Sequence, residues 1–532
     1  MEYCVHLNTM DIVYELAAQH RIAATIAQFL AIFVGCIVIA VLLATLAWLQ
    51  LVRDIRRENR RKVLERLVIL EDPANPRVFV GFLHPFANSF GGGERVLYEA
   101  IASHQRLDPN VIAVVYTGQL APLPGGVTKD EIIAGAKERF GITLNPHTLD
   151  FLPLKYCDMV GDNYWSHFTL LGQLLGTIWM AQDAMSRLIP DVFIDTTGHA
   201  FTLPVVKAVS RMTRVGAYIH YPTVSTDMLS RVQQRRAGHT NSGLVANSAV
   251  FSYIKLVYYR IYAVAYGWAL RHADALAVNG NWTRAHIEQI MSKRVIGAAR
   301  KASELPPVHV VYPPCDTASF AAFPLRGRSP SKIVSLAQFR PEKEHSVQLK
   351  ALKAMLTAHP NLRRSPLCPQ LVMIGSTRGR EDIERVARLR GEAEELGIAN
   401  EVSFEVNAPF ERVLKLVGTA SIGFSTMVDE HFGINVVEFM AAGLLTLSHA
   451  SAGPLLDIAV PENGEPTGFH ALEVDAFADT LYKLITMDPL EALAVRERAR
   501  KRATEVFGTA SFVASWRSGL WDVLRGHTTK ND

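Results

Sequence analysis

The sequence predicts an α/β protein, with two Rossmann-like, doubly wound domains facing a cleft and one transmembrane helix ahead of them. Three observations lead there. Strand-length runs rich in β-branched residues alternate with helical stretches from about residue 75 onward, the pattern of parallel sheets covered on both faces. The alternation breaks once, at Pro324-Leu325-Arg326-Gly327-Arg328-Ser329-Pro330, and then resumes. No charged residue occurs between Ile22 and Val52. A chain of 532 residues has room for two or three domains with ample cores.

In chain order, residues 1–21 are read as a short lumenal segment and residues 22–52 as the membrane span. About 20 apolar residues cross a hydrocarbon layer of about 30 Å, and Phe29–Ala44 is apolar throughout. A cleaved signal peptide has a core of only about 7–15 residues behind a basic segment. Here Glu2, Asp11, Glu15 and Arg21 precede the span, and Trp48 is placed as an interfacial anchor. Residues 53–74 are a basic linker opening Arg53-Asp54-Ile55-Arg56-Arg57-Glu58-Asn59-Arg60-Arg61-Lys62. The excess of Arg and Lys on that side predicts a cytosolic body.

Residues 75–325 form the first predicted domain, with strands at Val78–Phe82, Val111–Val115, Val192–Asp195, Val215–Ile219 and Asp274–Val278. Residues 326–505 form the second, with strands at Ile333–Leu336, Leu371–Gly375, Val402–Phe404, Ile422–Phe424 and Leu444–Ser448. Residues 506–532 are read as a helical tail. The apolar, aromatic segments 164–180 and 251–270 are read as core or membrane-surface helices, because Lys255 and Arg260 are costly at a bilayer centre. Lys+Arg is 55 against Asp+Glu 51, which gives no case for nucleic-acid binding. The five cysteines are scattered, without metal-ligand or disulfide spacing.

In open α/β sheets ligands sit at the C-terminal ends of strands, and the candidate motifs fall there. Gly91-Gly92-Gly93-Glu94-Arg95 follows the first strand and opens a helix. Its glycines let backbone N–H groups approach an anion at a helix N-terminus. His220 ends the strand Val215–Ile219, where it faces the cleft and is placed to bond a sugar hydroxyl. Arg340-Pro341-Glu342-Lys343 puts two cations after the first strand of the second domain, suited to a diphosphate. Gly375, in Ile374-Gly375-Ser376-Thr377-Arg378, and the loop Ser451-Ala452-Gly453-Pro454 are weaker signals for the same pocket. In Glu430-His431-Phe432-Gly433-Ile434-Asn435-Val436-Val437-Glu438 the first carboxylate lies in a loop and the second inside the following helix. Such a site suits a ligand carrying hydroxyls and phosphates, such as a sugar nucleotide. Asp-x-Asp, a common metal–diphosphate signature, occurs nowhere in the chain.

Together these pieces resemble the retaining GT-B glycosyltransferases of family 4, whose hallmark is two glutamates separated by seven residues, here Glu430 and Glu438. The likeness spans nearly the whole soluble body. It is strongest in Gly91–Leu97, Tyr218–Leu229, Gln338–Lys343 and Glu430–Ile434, which are similar to the branch acting on lipid-linked oligosaccharides. The resemblance implies GDP-mannose as donor and no metal cofactor. It implies a dolichyl-diphosphate oligosaccharide, Man3GlcNAc2 and then Man4GlcNAc2, as acceptor of α-1,2-linked mannose. The place implied is the cytosolic face of the endoplasmic reticulum (ER) membrane, with other mannosyltransferases of the pathway as possible neighbours. Carried over by position, Glu438 would bind the ribose and Glu430 the donor mannose. The N–H groups of Phe432, Gly433 and Ile434 would hold hydroxyls or phosphate. Lys343 and Arg340 would neutralise the diphosphate beside Gly92 and Gly93. His220 would touch the mannose, Gly375 would sit near the nucleotide, and Glu94 and Arg95 would lie on the acceptor side. One departure is Gln338, where many members carry arginine. Two alternatives stay open: another membrane-anchored transferase of the same pathway, or a catalytically silent scaffold subunit.

Overall fold

The computed structural model describes residues 9–118, 120–121, 126–161, 164–165, 167–223, 249–292 and 305–526. Residues 1–8 of the N-terminal segment, Val224–Leu229 of the His220 string and residues 527–532 lie outside the described residues. The chain divides into two units, Met1–Lys62 and Val63–Asp532. In the first, one helix begins at Thr9, and its apolar side chains from Ile32 to Leu51 are exposed. It is long and apolar enough to cross a membrane. The helix ends at Leu67; within the second unit its last turn buries Val63, Leu64 and Leu67, and Arg66 pairs with Asp150 at 2.7 Å.

The second unit holds two all-parallel sheets. The first comprises β1 (Val78–Leu83), β2 (Val111–Thr117), β3 (Leu149–Pro153), β4 (Val192–Asp195), β5 (Arg214–Ile219), β6 (Ala275–Val278) and β7 (Val308–Val310). The second comprises β8 (Lys332–Leu336), β9 (Gln370–Gly375), β10 (Val402–Val406), β11 (Ile422–Ser425), β12 (Leu445–His449) and β13 (Phe469–Ala471). Their orders, β3-β2-β1-β4-β5-β6-β7 and β10-β9-β8-β11-β12-β13, both reverse direction beside the first strand. Each sheet therefore opens a crevice at a topological switch point, between β1 and β4 and between β8 and β11, where ligands of such sheets bind.

The strand pattern explains the layers. Side chains alternate between faces with period two, and both faces here are covered. Phe79, Leu83, Ile112, Val114 and Tyr116 enter one core, while Val80, Phe82, Val111, Ala113 and Val115 enter the other. Ile333 and Val334 divide the second sheet in the same way. All ten strands expected from the sequence form. β3, β7 and β13, of three to five residues, come in addition.

The segments around 164–180 and 251–270 become the helices Thr169–Arg187 and Ala249–Leu270. Each buries one face and exposes apolar residues on the other, Leu171, Leu175 and Trp179 on the first and Tyr253, Ile254 and Ile261 on the second. The Leu171 N–H donates to the Tyr258 hydroxyl at 3.0 Å, joining the two.

The last helices, Thr509–Trp516 and Asp522–Arg525, pack on the first sheet, not the second. Trp516 is 1% exposed, lies 5.9 Å from the Tyr218 ring and donates its indole N–H to His104 at 3.1 Å. Trp516→Ala removes that anchor and should cost about 3–5 kcal/mol of stability. Thermal unfolding should show a melting point several degrees lower, whereas an unchanged melting point would mean that the C-terminal return contributes little to the first domain.

Candidate functional site

At the first switch point β1 runs into His84 and the triglycine turn, and the helix Gly92–Leu107 starts there. Glu94 is turned inward: it accepts the Gly91 N–H at 2.6 Å and contacts His84 Nε2 at 3.2 Å. His84 Nδ1 lies 2.8 Å from the Thr196 hydroxyl, just beyond β4. Burial works against the Glu94 charge, but His84 and the Gly91 N–H hold its pKa below the ordinary value. The glutamate thus fixes the turn and leaves the N–H groups of Gly92 and Gly93, at the helix start, without intrahelical acceptors.

At the second switch point β8 leads to Arg340 and Lys343, and β11 leads to Glu430. Lys343 Nζ lies 2.7 Å from Glu430 Oε2 and 3.0 Å from Met427 Sδ. The helix Ile434–Ala442 begins after Gly433, whose φ of +111° is open to glycine and strained for other residues. The loop Ser451–Pro454 braces this segment from behind: Gly453 N–H donates to the Glu430 carbonyl at 2.9 Å and Asp429 N–H to Ser451 Oγ at 2.8 Å.

The two switch points face one cavity of about 460 Å³. Of the expected residues, Gly92, Gly93, His220, Arg340, Lys343, Glu430, Phe432, Gly433 and Ile434 line it. The approach of the domains is close, because a Cβ on Gly92 would lie 3.0 Å from Ile434 Cδ1; within the first domain, one on Gly93 would lie 3.5 Å from His220 Nε2. Two helix N-termini and two cations thus converge on one gap, a strongly favourable place for a multiply charged anion.

Four expected residues stand back from the lining. Glu94 is the inward cap just described. Gly375 packs under the Arg340 loop, where a Cβ would come within 2.1 Å of the Ala337 carbonyl oxygen, so its small size serves packing. Arg95 holds its guanidinium 5.8 Å from the Phe140 ring. Glu438 lies one turn beyond Ile434, on the same helix face. Burial raises its pKa to about 7; the Arg95 charge works the other way and Asp316 adds to the rise.

The histidines of the site are held neutral. Burial, and then the charge of His84, lower the His220 pKa to about 4. His220 bonds the Thr196 backbone, and its buried Nε2 has no partner among the described residues, which leaves an acceptor for a sugar hydroxyl. Burial and Lys343 likewise lower His431 to about 4.

Sequence reasoning missed two features here. The His431 ring lies 3.9 Å from Tyr221 and 5.4 Å from Trp282, so the donor-side loop stacks on the first domain. Asp457, in the turn after the bracing loop, accepts from Asn281 Nδ2 at 2.6 Å and from the Tyr312 hydroxyl at 2.9 Å. The one signal available was the presence of Asn281 and Trp282 at a strand end. Among the described residues no group of three or more His, Cys, Asp or Glu side chains could hold a metal ion.

The raised pKa of Glu438 fixes the sign of a pH effect. The folded state holds this proton more tightly than the unfolded chain, so its contribution to stability is full below pH 4.5 and falls as pH rises towards about 7. Glu438→Gln should flatten that part of the stability profile in denaturant melts between pH 4.5 and 7.5; an identical slope in both proteins would contradict the raised pKa.

Comparison with known proteins follows the geometry. Residues 77–291 match the family described as ALG11 mannosyltransferase N-terminus, and residues 321–505 match Glycosyl transferases group 1. The chain is 38% identical over 459 residues to the human GDP-Man:Man(3)GlcNAc(2)-PP-Dol alpha-1,2-mannosyltransferase, covering 86% of this chain and 89% of that protein. The Xenopus tropicalis protein of that name is 39% identical, with 90% and 93% covered. Among solved structures, sucrose-phosphate synthase from Thermosynechococcus elongatus superposes with TM-score 0.58 at 16% identity, covering 85% of this chain and 100% of that one. Anabaena Alr3699/HepE in complex with UDP and glucose gives 0.54 at 15%, covering 84% and 100%. At those identities the structural likeness establishes the GT-B fold alone.

Proposed function

We propose a function from one premise: the chain belongs to the family of GDP-Man:Man(3)GlcNAc(2)-PP-Dol alpha-1,2-mannosyltransferases. It moves mannose from GDP-mannose to dolichyl-diphosphate-linked Man3GlcNAc2 and then Man4GlcNAc2, with retention at the anomeric carbon. The observation that carries this reading is the convergence of the Gly92 and Ile434 helix N-termini with Lys343 and Arg340 on one cavity.

The diphosphate of the donor takes the place between those helix ends. Lys343, oriented by Glu430, and Arg340 stabilise the charge that grows on it as the bond from anomeric carbon to phosphate oxygen breaks. The acceptor hydroxyl attacks the same face of the sugar. Its proton passes to the departing phosphate oxygen, and GDP leaves. The neutral His220 accepts a hydroxyl of the transferred mannose through Nε2. Glu430 offers its remaining oxygen lone pairs to the sugar, and Glu438 binds the ribose. With fixed cations and amide dipoles at the diphosphate, and no Asp-x-Asp in the chain, the reaction needs no divalent ion.

The apolar helix and the basic residues that follow it support an anchored enzyme of the ER membrane with a cytosolic body. Docking of the lipid diphosphate there, and partnership with other mannosyltransferases, belong to the same proposal. A silent scaffold has no need for the complete set of cations, helix ends and buried neutral histidine.

Incubation with GDP-mannose and a synthetic lipid-linked trimannosyl acceptor, followed by linkage-specific mannosidase digestion, tests the activity. Two α-1,2 mannoses added in sequence are expected, and no transfer would refute it. Lys343→Ala should lower turnover about 10²–10³-fold while circular dichroism stays unchanged; near-normal turnover would remove Lys343 from the mechanism. Excess EDTA should leave the rate as it was, and a loss restored by Mg²⁺ or Mn²⁺ would overturn the metal-free reading.

A further inference from the structure

At the opposite end of the second sheet from the donor cavity, beside the N-terminal ends of β8 and β11, lies a separate cavity of about 280 Å³. Arg328, Arg496 and Ser421 form its polar side, and Leu325, Leu484, Met487 and Leu493 line it with apolar atoms. Arg500 stands close enough to repel Arg328.

Among the described residues no carboxylate pairs with Arg328, Arg496 or Arg500. Arg328 donates to the carbonyls of Pro324, Val417, Ala420 and Ala442. Arg500 donates to those of Phe323, Ala441 and Ala442. These acceptors include the C-terminal ends of the helices Phe410–Thr419 and Ile434–Ala442. A helix end supplies about half a negative charge, so two ends against three guanidinium groups leave roughly two positive charges unmatched. Burial, and then the charges of Arg496 and Arg500, pull the Arg328 pKa down to about 10.

Arg496 is the least satisfied of the three. It is 8% exposed, it donates to Ser421 Oγ, and its buried Nε–H has no acceptor among the described residues. An unmatched buried guanidinium donor is costly unless something accepts from it. Helix capping accounts for Arg328 and Arg500, but not for Arg496.

We propose that this cavity is a second ligand site, taking a small organic anion with a phosphate or carboxylate head and an apolar body. The head meets the guanidinium of Arg496 and the positive field of Arg328, both of which line the cavity. The body lies along Leu484, Met487 and Leu493. The site is separate from the donor cavity and does not rest on the proposed reaction.

The test is calorimetric titration of the full-length protein in lipid nanodiscs with hexyl phosphate, corrected with empty nanodiscs. Saturable binding is expected, unaffected by saturating GDP and stronger than that of inorganic phosphate or hexanol. Arg496→Gln should weaken it roughly tenfold or more, the scale of a charge-assisted hydrogen bond. Met487→Trp fills the cavity without changing any charge and should weaken it too. GDP affinity equal to the parent's certifies that each variant is folded, and Met487→Trp decides alone if Arg496→Gln is not. Absence of saturable binding in the parent, displacement by GDP, or unchanged affinity in the folded variants would each overturn the proposal.

Discussion

A helix N-terminus carries N–H groups with no intrahelical acceptor and a partial positive charge. This protein brings two of them to one gap, at Gly92 and at Ile434, and adds Lys343 and Arg340. Without an anion that arrangement is repulsive, so the rest of the architecture has to hold it together. The shared strand order does much of this, because it places a switch point in each sheet at the same kind of position. Glycine does the remainder at Gly92, where any Cβ would press on Ile434 across the gap.

Charge is distributed sparingly inside the site. Lys343 and Glu430 neutralise each other at 2.7 Å, and burial keeps His220 and His431 uncharged. The net positive field in the empty cavity therefore comes mainly from Arg340 and the two helix ends. Those dipoles are part of the backbone and need no reorganisation when charge moves during reaction, which is where preorganised electrostatics gain over water. The lysine–glutamate pair sets the lysine's position in the cavity wall.

Much of this could be read from the chain. Residues at the C-terminal ends of strands were identifiable because the strands are continuous apolar runs and the loops behind them carry Gly, Arg, Lys and Glu. Gly92, Lys343, Glu430 and His220, which line the cavity, were singled out that way. Glu94 and Gly375 stand back from the lining for one reason. They sit beside residues that line the cavity, and proximity in sequence does not reveal which way a side chain turns or what lies beneath a glycine. The inward turn of Glu94 depends on His84, ten residues earlier, and the packing of Gly375 depends on the carbonyl of Ala337, on a different strand's loop. The return of Trp516 to the first sheet lies further still from anything local pattern encodes, since its hydrogen-bond partner is His104.

The same limit applies to Asn281. As a string, Asn281-Trp282-Thr283 shows only the pattern of a glycosylation acceptor. In the fold it is the joint between domains. Its side-chain amide and its backbone N–H both go to the Asp457 carboxylate, which also accepts from Tyr312, and Arg502 fixes the Asp457 backbone carbonyl at 2.6 Å. Gly280 must lack a side chain because a Cβ there would lie 2.9 Å from Asp457 Oδ2. Trp282, the next residue, stacks towards His431 in the donor-side loop. One short segment at the end of β6 thus holds the bracing turn and the loop it braces. The two domains are thereby tied beside the gap by contacts additional to the close approach of Gly92 and Ile434.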